Sequence, residues 1–234
     1  VRHCRFISNT AISGGALACR KIDQIFCVYN NFLRNKAFGH GGAIAANLTS
    51  STKSSHVENS VHLHDRVIST HDTNEMFNYY QSNAILIYRN ALRENWASLS
   101  GGAVYVNNAR KVLIMMTEII RNSAKGNGAA ICMKQCLLCG IMKSLFINNA
   151  GYLQRGRVRW NRNNKGGKMY VDKCKIVVIE QAKFLFKSGH WIYGAGILMQ
   201  HIINCSVVNS SFIANKAKYQ GILYVRMVGL VTVY

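Results

Sequence analysis

Apolar positions along the chain fall into short stretches rather than helix-length faces, and those stretches recur. One recurring unit is a large apolar residue, two variable residues and Asn: Phe6 to Asn9, Phe32 to Asn35, Leu92 to Asn95, Ile119 to Asn122, Phe146 to Asn149 and Phe212 to Asn215. A second is a glycine pair followed by Ala and an aliphatic, at Gly14 to Leu17, Gly41 to Ile44 and Gly101 to Val104, with degraded copies from Gly126, Gly166, Gly194 and Gly221. A third is a short apolar strand just ahead of the Phe position, as in Ile25 to Val28, Ile85 to Tyr88, Val112 to Met115, Ile176 to Ile179 and Cys205 to Val208. The Asn positions advance by 26, 60, 27 and 27; Lys187 stands in place of Asn after a further 38, and the last step is 28. A unit of 26 to 28 residues with three short strands and no helical window predicts an all-β fold, a parallel β-helix of about seven coils in one domain spanning 1–234. Leucine-rich repeats share the period but need a closely spaced Leu framework that this chain lacks.

Stacking repeats one strand spacing apart, about 4.8 Å, places equivalent residues above one another. An inward Phe column then fills the interior. A stacked Asn column exchanges side-chain amide hydrogen bonds between repeats and is expected to hold the tight turn itself, since Asn tolerates unusual backbone angles. The glycine pair allows a sharp corner, and the following Ala fits a narrow interior.

Phe6-Ile7-Ser8-Asn9 followed by Gly14-Gly15-Ala16-Leu17, and Phe32-Leu33-Arg34-Asn35 followed by Gly41-Gly42-Ala43-Ile44, resemble the paired tetrapeptides of the polymorphic outer-membrane protein repeat family. That resemblance implies a right-handed parallel β-helix and, with it, display at a cell surface and a part in adhesion. The chain departs from the family in lacking its C-terminal membrane barrel, in its high positive charge and in the loss of Asn at Lys187.

Composition sharpens this picture at three points. The chain has 29 Lys and Arg against 9 Asp and Glu, a net charge of +20, which implies an acidic partner or surface. It has no proline, in keeping with a backbone whose donors sit in continuous ladders. No stretch reaches the 18 apolar residues of a membrane helix. The start at Val1, without Met or a signal-peptide core, and the bare final strand Leu230 to Tyr234 read as a piece of a longer solenoid.

The enlarged steps place two insertions, at about 48–80 and 154–166, and loops on a rigid frame are where recognition is expected. The first carries His56, His62, His64 and His71 but no full ligand spacing, and reads as a solvated or partner-docked loop. The second, with Lys168 just after it, is the candidate binding site: Arg155, Arg157, Arg159, Trp160, Arg162, Lys165 and Lys168, with no acid among them. Alternating arginines project together from an extended segment and Trp160 offers a stacking face, a combination suited to phosphate, sulfate or carboxylate. Acidic protein surfaces and anionic glycans are the expected partners, with nucleic acid less favoured.

Cys132, Cys136 and Cys139 have plausible zinc spacing without a fourth ligand nearby, so buried thiols are expected, with no metal and no cofactor. Eight cysteines leave the redox compartment open, and the sequons at Asn47, Asn204 and Asn209 admit a secretory one. Outside the first insertion the acids are Asp23, Glu94, Glu118, Asp172 and Glu180, with no adjacent pair for glycoside hydrolysis. No catalytic residues are expected; a polysaccharide-binding or lyase-type β-helix is the alternative. The leading expectation is a non-enzymatic β-helix presenting basic loops to an acidic partner, as a surface adhesin-like module or as an architectural component of a large assembly.

Overall fold

The structure, a computed structural model, describes residues 1–48, 83–151, 153–154, 157–158, 168–185, 196–215 and 222–233. Every regular element among them is a β-strand, and pairing is parallel except in one short hairpin. Each strand pairs with its equivalent in the neighbouring repeat, so the strands form stacked parallel sheets.

The first sheet stacks Arg5–Ile7, Asn31–Leu33, Ala91–Arg93, Glu118–Ile120, Leu145–Ile147, Lys183–Leu185 and Ser211–Ile213. Its register aligns Phe6, Phe32, Leu92, Ile119, Phe146, Phe184 and Phe212, the column the tetrapeptides predict. Phe6 stacks on Phe32 at 4.9 Å, and Phe184 sits 4.5 Å from Phe146 and 4.9 Å from Phe212, so inward rings tile the interior where Leu92 and Ile119 do not. A second, narrow sheet runs through Thr10–Ala11, Lys36–Ala37, Trp96–Ala97, Ser123–Ala124 and Ala150–Gly151.

The large sheet has two arms. One joins Leu17–Arg20, Ile44–Asn47, Val104–Asn107, Ile131–Lys134 and Met169–Asp172; the other joins Gln24–Val28, Ala84–Tyr88, Lys111–Met115, Leu138–Met142 and Ile176–Glu180. The long strand Ile197–Val208 pairs with both arms and with Leu223–Val233. Register aligns Val177, not Ile176, with Cys139 and Cys205, one position on from the repeat read in the sequence. A single buried cluster runs the length of the stack, from Ile25 and Phe32 to Ile197 and Val207.

The Asn column bonds as expected. Asn95 Nδ2 donates to Asn122 Oδ1 at 2.9 Å, Asn122 Nδ2 donates to Asn149 Oδ1 at 3.1 Å, and Asn35 Nδ2 donates to Asn95 Oδ1 at 3.0 Å. The turn itself, however, is made one residue earlier. Ser8, Arg34, Glu94, Arg121, Asn148 and Ala214 take the positive φ, between 50° and 56°, and the following Asn points inward. The amide column needs its side chain buried, whereas the strained position faces outward and accepts almost any residue type.

The same device recurs at a second corner. Tyr29, Arg89, Met116 and Lys143 have positive φ, and each is followed by an inward Asn30, Asn90, Thr117 or Ser144. Asn30 N–H donates to Asn90 Oδ1 at 2.8 Å, Asn90 N–H to Thr117 Oγ1 at 3.4 Å and Thr117 N–H to Ser144 Oγ at 3.2 Å. Both columns satisfy backbone donors that the bend takes out of the strand ladders.

Candidate functional site

Of the seven residues in the predicted basic site, Arg155, Arg159, Trp160, Arg162 and Lys165 lie outside the described residues, as do the histidines of the first insertion. Arg157 lies in the short strand Arg157–Val158, paired antiparallel to Leu153–Gln154, and its position is described through the backbone. Lys168 alone has a described side chain, and it is only 4% exposed. Its ammonium donates to Oδ1 of Asn215, the last residue of the Asn column.

Burial pushes the Lys168 amine down to about 8. Below that value the amine is protonated in both the folded and the unfolded chain, and the penalty of burying the charge is present in full. Between about 8 and the ordinary value near 10.4 the unfolded chain binds more protons, so this group makes stability rise with pH. Lys168→Met should therefore remove about 2 kcal/mol of that penalty at neutral pH, partly offset by the lost bond to Asn215 Oδ1, for a net gain of about 1 kcal/mol. The gap to the wild type should shrink as pH climbs through that window, and urea unfolding of both proteins at pH 7 and pH 10 checks it.

On the outside, basic and aromatic side chains from neighbouring repeats meet. Lys36 and Lys125 lie 5.2 and 5.6 Å from the Trp96 ring centre, and Lys36 lies 4.9 Å from that of Phe38. Exposed Ile12, Phe38 and Leu99 border them. At the next corner Arg89 lies over both Tyr29 and Tyr88, and Tyr29 stacks on His3 at 5.0 Å. These clusters were hidden in the sequence because their members come together only when the repeats stack.

Most of the described acids already have a cation. Glu94 accepts from Arg34 at 2.8 Å with Arg121 at 3.6 Å, and Arg34's hydrogen bond is the main influence holding its carboxyl below the usual range. Arg93 pairs with Glu118. Asp172 lies 2.8 Å from His201 Nδ1 and accepts from Tyr170 Oη at 3.2 Å. Burial works to raise the Asp172 carboxyl, but the bonds from His201, Gln200 and Tyr170 outweigh it and keep it below its ordinary value.

The cysteines rearrange relative to the sequence spacing. Cys132 sits in a small buried cluster with Tyr170 and Leu198, while Cys136 and Cys139 belong to the main core. The third member of their group is Cys174, and the three Sγ atoms lie within 4.8 Å of one another. Cys136 N–H donates to Cys174 Sγ at 3.4 Å, so at this third corner sulfur plays the part of Asn or Ser at the other two. Hydrogen bonds with the neighbouring thiols favour the Cys136 thiolate and push its pKa down, while the bond to Cys136 pushes Cys139 up. All eight cysteines are free thiols, and all but Cys4 are buried.

Asn47, Asn204 and Asn209 of the three sequons are exposed. Among the described residues no helix is long and apolar enough to cross a membrane. Comparison with protein-family models, with curated proteins and with solved structures gives no match.

Proposed function

We propose that the stacked repeats wind into a right-handed parallel β-helix of about seven coils, and that the protein is a non-enzymatic interaction scaffold presenting basic side chains to an acidic partner. The partner is an acidic protein surface or an anionic glycan, met by a surface adhesin-like module or within a large assembly. Charge placement supports this reading. Leaving aside Arg157, the described residues include 19 Lys and Arg and only five acids, three of which already contact an Arg or His. A rigid parallel stack holds such cations at fixed spacing, so an anionic ligand meets an array that is ordered before it binds. The second insertion adds Arg155, Arg157, Arg159, Arg162 and Lys165 to the same positive field.

Retention on a sulfated glycan and on poly-glutamate, measured against salt, tests the reading. Affinity for at least one should fall by more than about tenfold between about 50 and 200 mM salt. Replacing Arg155, Arg157, Arg159 and Arg162 with Ser should weaken binding and flatten that dependence. Binding that ignores salt, or no binding to either anion, would remove the acidic partner from the reading.

A further inference from the structure

The sulfur group at the third corner does more than fill space. Asn, Thr and Ser columns at the other two corners show that a single inward acceptor per repeat satisfies the turn. At the third corner Cys174 does that for Cys136, and Cys139, the first inward residue of the facing strand in the large sheet, adds a third sulfur that the turn does not require. The three come from two adjacent repeats, and all are at most 2% exposed.

We propose that Cys136, Cys139 and Cys174 form a buried trigonal site for a soft monovalent cation, Cu(I). Three sulfurs around one metal at the usual metal–thiolate distance of about 2.3 Å stand about 4 Å apart, which these atoms reach with small rotamer adjustments from their present spacing. Among the described residues no fourth Cys, His, Asp or Glu joins the group. That favours Cu(I), which soft thiolates select, over Zn(II), whose structural sites are closed by four ligands.

Loading breaks three S–H bonds, forms three Cu–S bonds and sends three protons to solvent; the copper enters and stays as Cu(I), so no oxidant or reductant is consumed. The resulting negative charge sits in a basic neighbourhood. Lys173 and Lys175 flank Cys174, Lys134 lies two residues before Cys136, and Lys111 pairs in register with Leu138 beside Cys139, four cations against the carboxylate of Asp172, which lies two residues before Cys174. Because the sulfurs are sealed in the core, the metal enters as the chain folds.

The full chain, unfolded with reductant and refolded without oxygen beside Cu(I) bicinchoninate, should retain one copper after desalting. Cys136→Ala, Cys139→Ala and Cys174→Ala should each lower retention at least about tenfold. Cys132→Ala and Cys205→Ala should keep it. Circular dichroism of each metal-free variant reports folding. For any variant that fails to fold, X-ray absorption of copper-loaded wild type, expected to show three sulfurs at about 2.3 Å and no nitrogen or oxygen ligand, takes its place. No retained copper, retention that survives loss of Cys174 or follows Cys132, preference for Zn(II) over Cu(I), or a native disulfide between two of the three would each overturn the proposal.

Discussion

Asn95→Ala should lower stability by about 4 kcal/mol, a large fraction of the roughly 5 to 15 kcal/mol by which a folded domain is stable. Asn95 is fully buried in the middle of its column and uses both ends of its amide. Its Oδ1 accepts from the backbone N–H and the Nδ2 of Asn35, both at 3.0 Å. Its Nδ2 donates to Phe32 O at 3.0 Å and to Asn122 Oδ1 at 2.9 Å. Alanine strands the Asn35 N–H and the Phe32 carbonyl inside the protein, each at about 1 to 3 kcal/mol, and leaves a void where the amide was. Water reaches neither group without opening the stack.

The column supplies its own control. Asn9, in the same column, is exposed and donates to Asn35, so Asn9→Ala should lose less than about 1 kcal/mol. Hydrogen exchange at the Asn35 amide separates local from global loss, since repeat arrays open by units rather than all at once. Equal effects at Asn9 and Asn95 would mean that the amides decorate the turn instead of holding it.

What the sequence made readable was whatever repeats with a fixed residue type. The Phe, Gly and Asn columns announce themselves because an inward ring, a crowded corner and a buried amide each tolerate few substitutes. The positive-φ residue before each Asn does not, because its side chain faces out; Ser8, Arg34, Glu94 and Arg121 share a backbone shape and nothing else. The second corner was missed for a related reason, since Asn90, Thr117 and Ser144 share only an oxygen at the right reach. Spacing along the chain pointed to Cys132 as the third sulfur. The enlarged step between repeats instead sets Cys174 beside Cys136 across 38 residues, and alternation along its strand turns Cys132 to the other face. The Trp96 cluster depends on stacking alone, for neither lysine lies near it in sequence.

Gly101→Ala should be more damaging than its size implies, by about 3 to 5 kcal/mol. Positive φ is not in itself the reason. Nineteen non-glycine residues among those described already adopt it, at φ from 47° to 62°, so the fold accepts side chains in that conformation at its outward corners. Gly101, at φ +68°, differs in where its Cβ would point: 2.3 Å from the carbonyl oxygen of Val104, with the Tyr105 Cβ at 3.0 Å. The same collision awaits at Gly14, Gly41 and Gly128, whose added Cβ would lie 2.0 to 2.1 Å from the carbonyl three residues on. Backbone cannot swing aside as a side chain would. Gly101 N–H donates to the neighbouring repeat, to Asn127 O and Gly128 O at 3.1 Å, and its carbonyl accepts from Gly42 N–H at 3.0 Å on the other side. Relieving the contact therefore breaks ladders in two repeats. Urea unfolding of Gly101→Ala beside Arg121→Ala, a substitution at an outward positive-φ position of 53°, separates the two explanations. Conformational strain alone predicts a loss of about 1 to 2 kcal/mol at Gly101 and almost none at Arg121, which already carries a side chain at positive φ, whereas the buried collision predicts the full loss of about 3 to 5 kcal/mol at Gly101, with Arg121 still below about 1 kcal/mol.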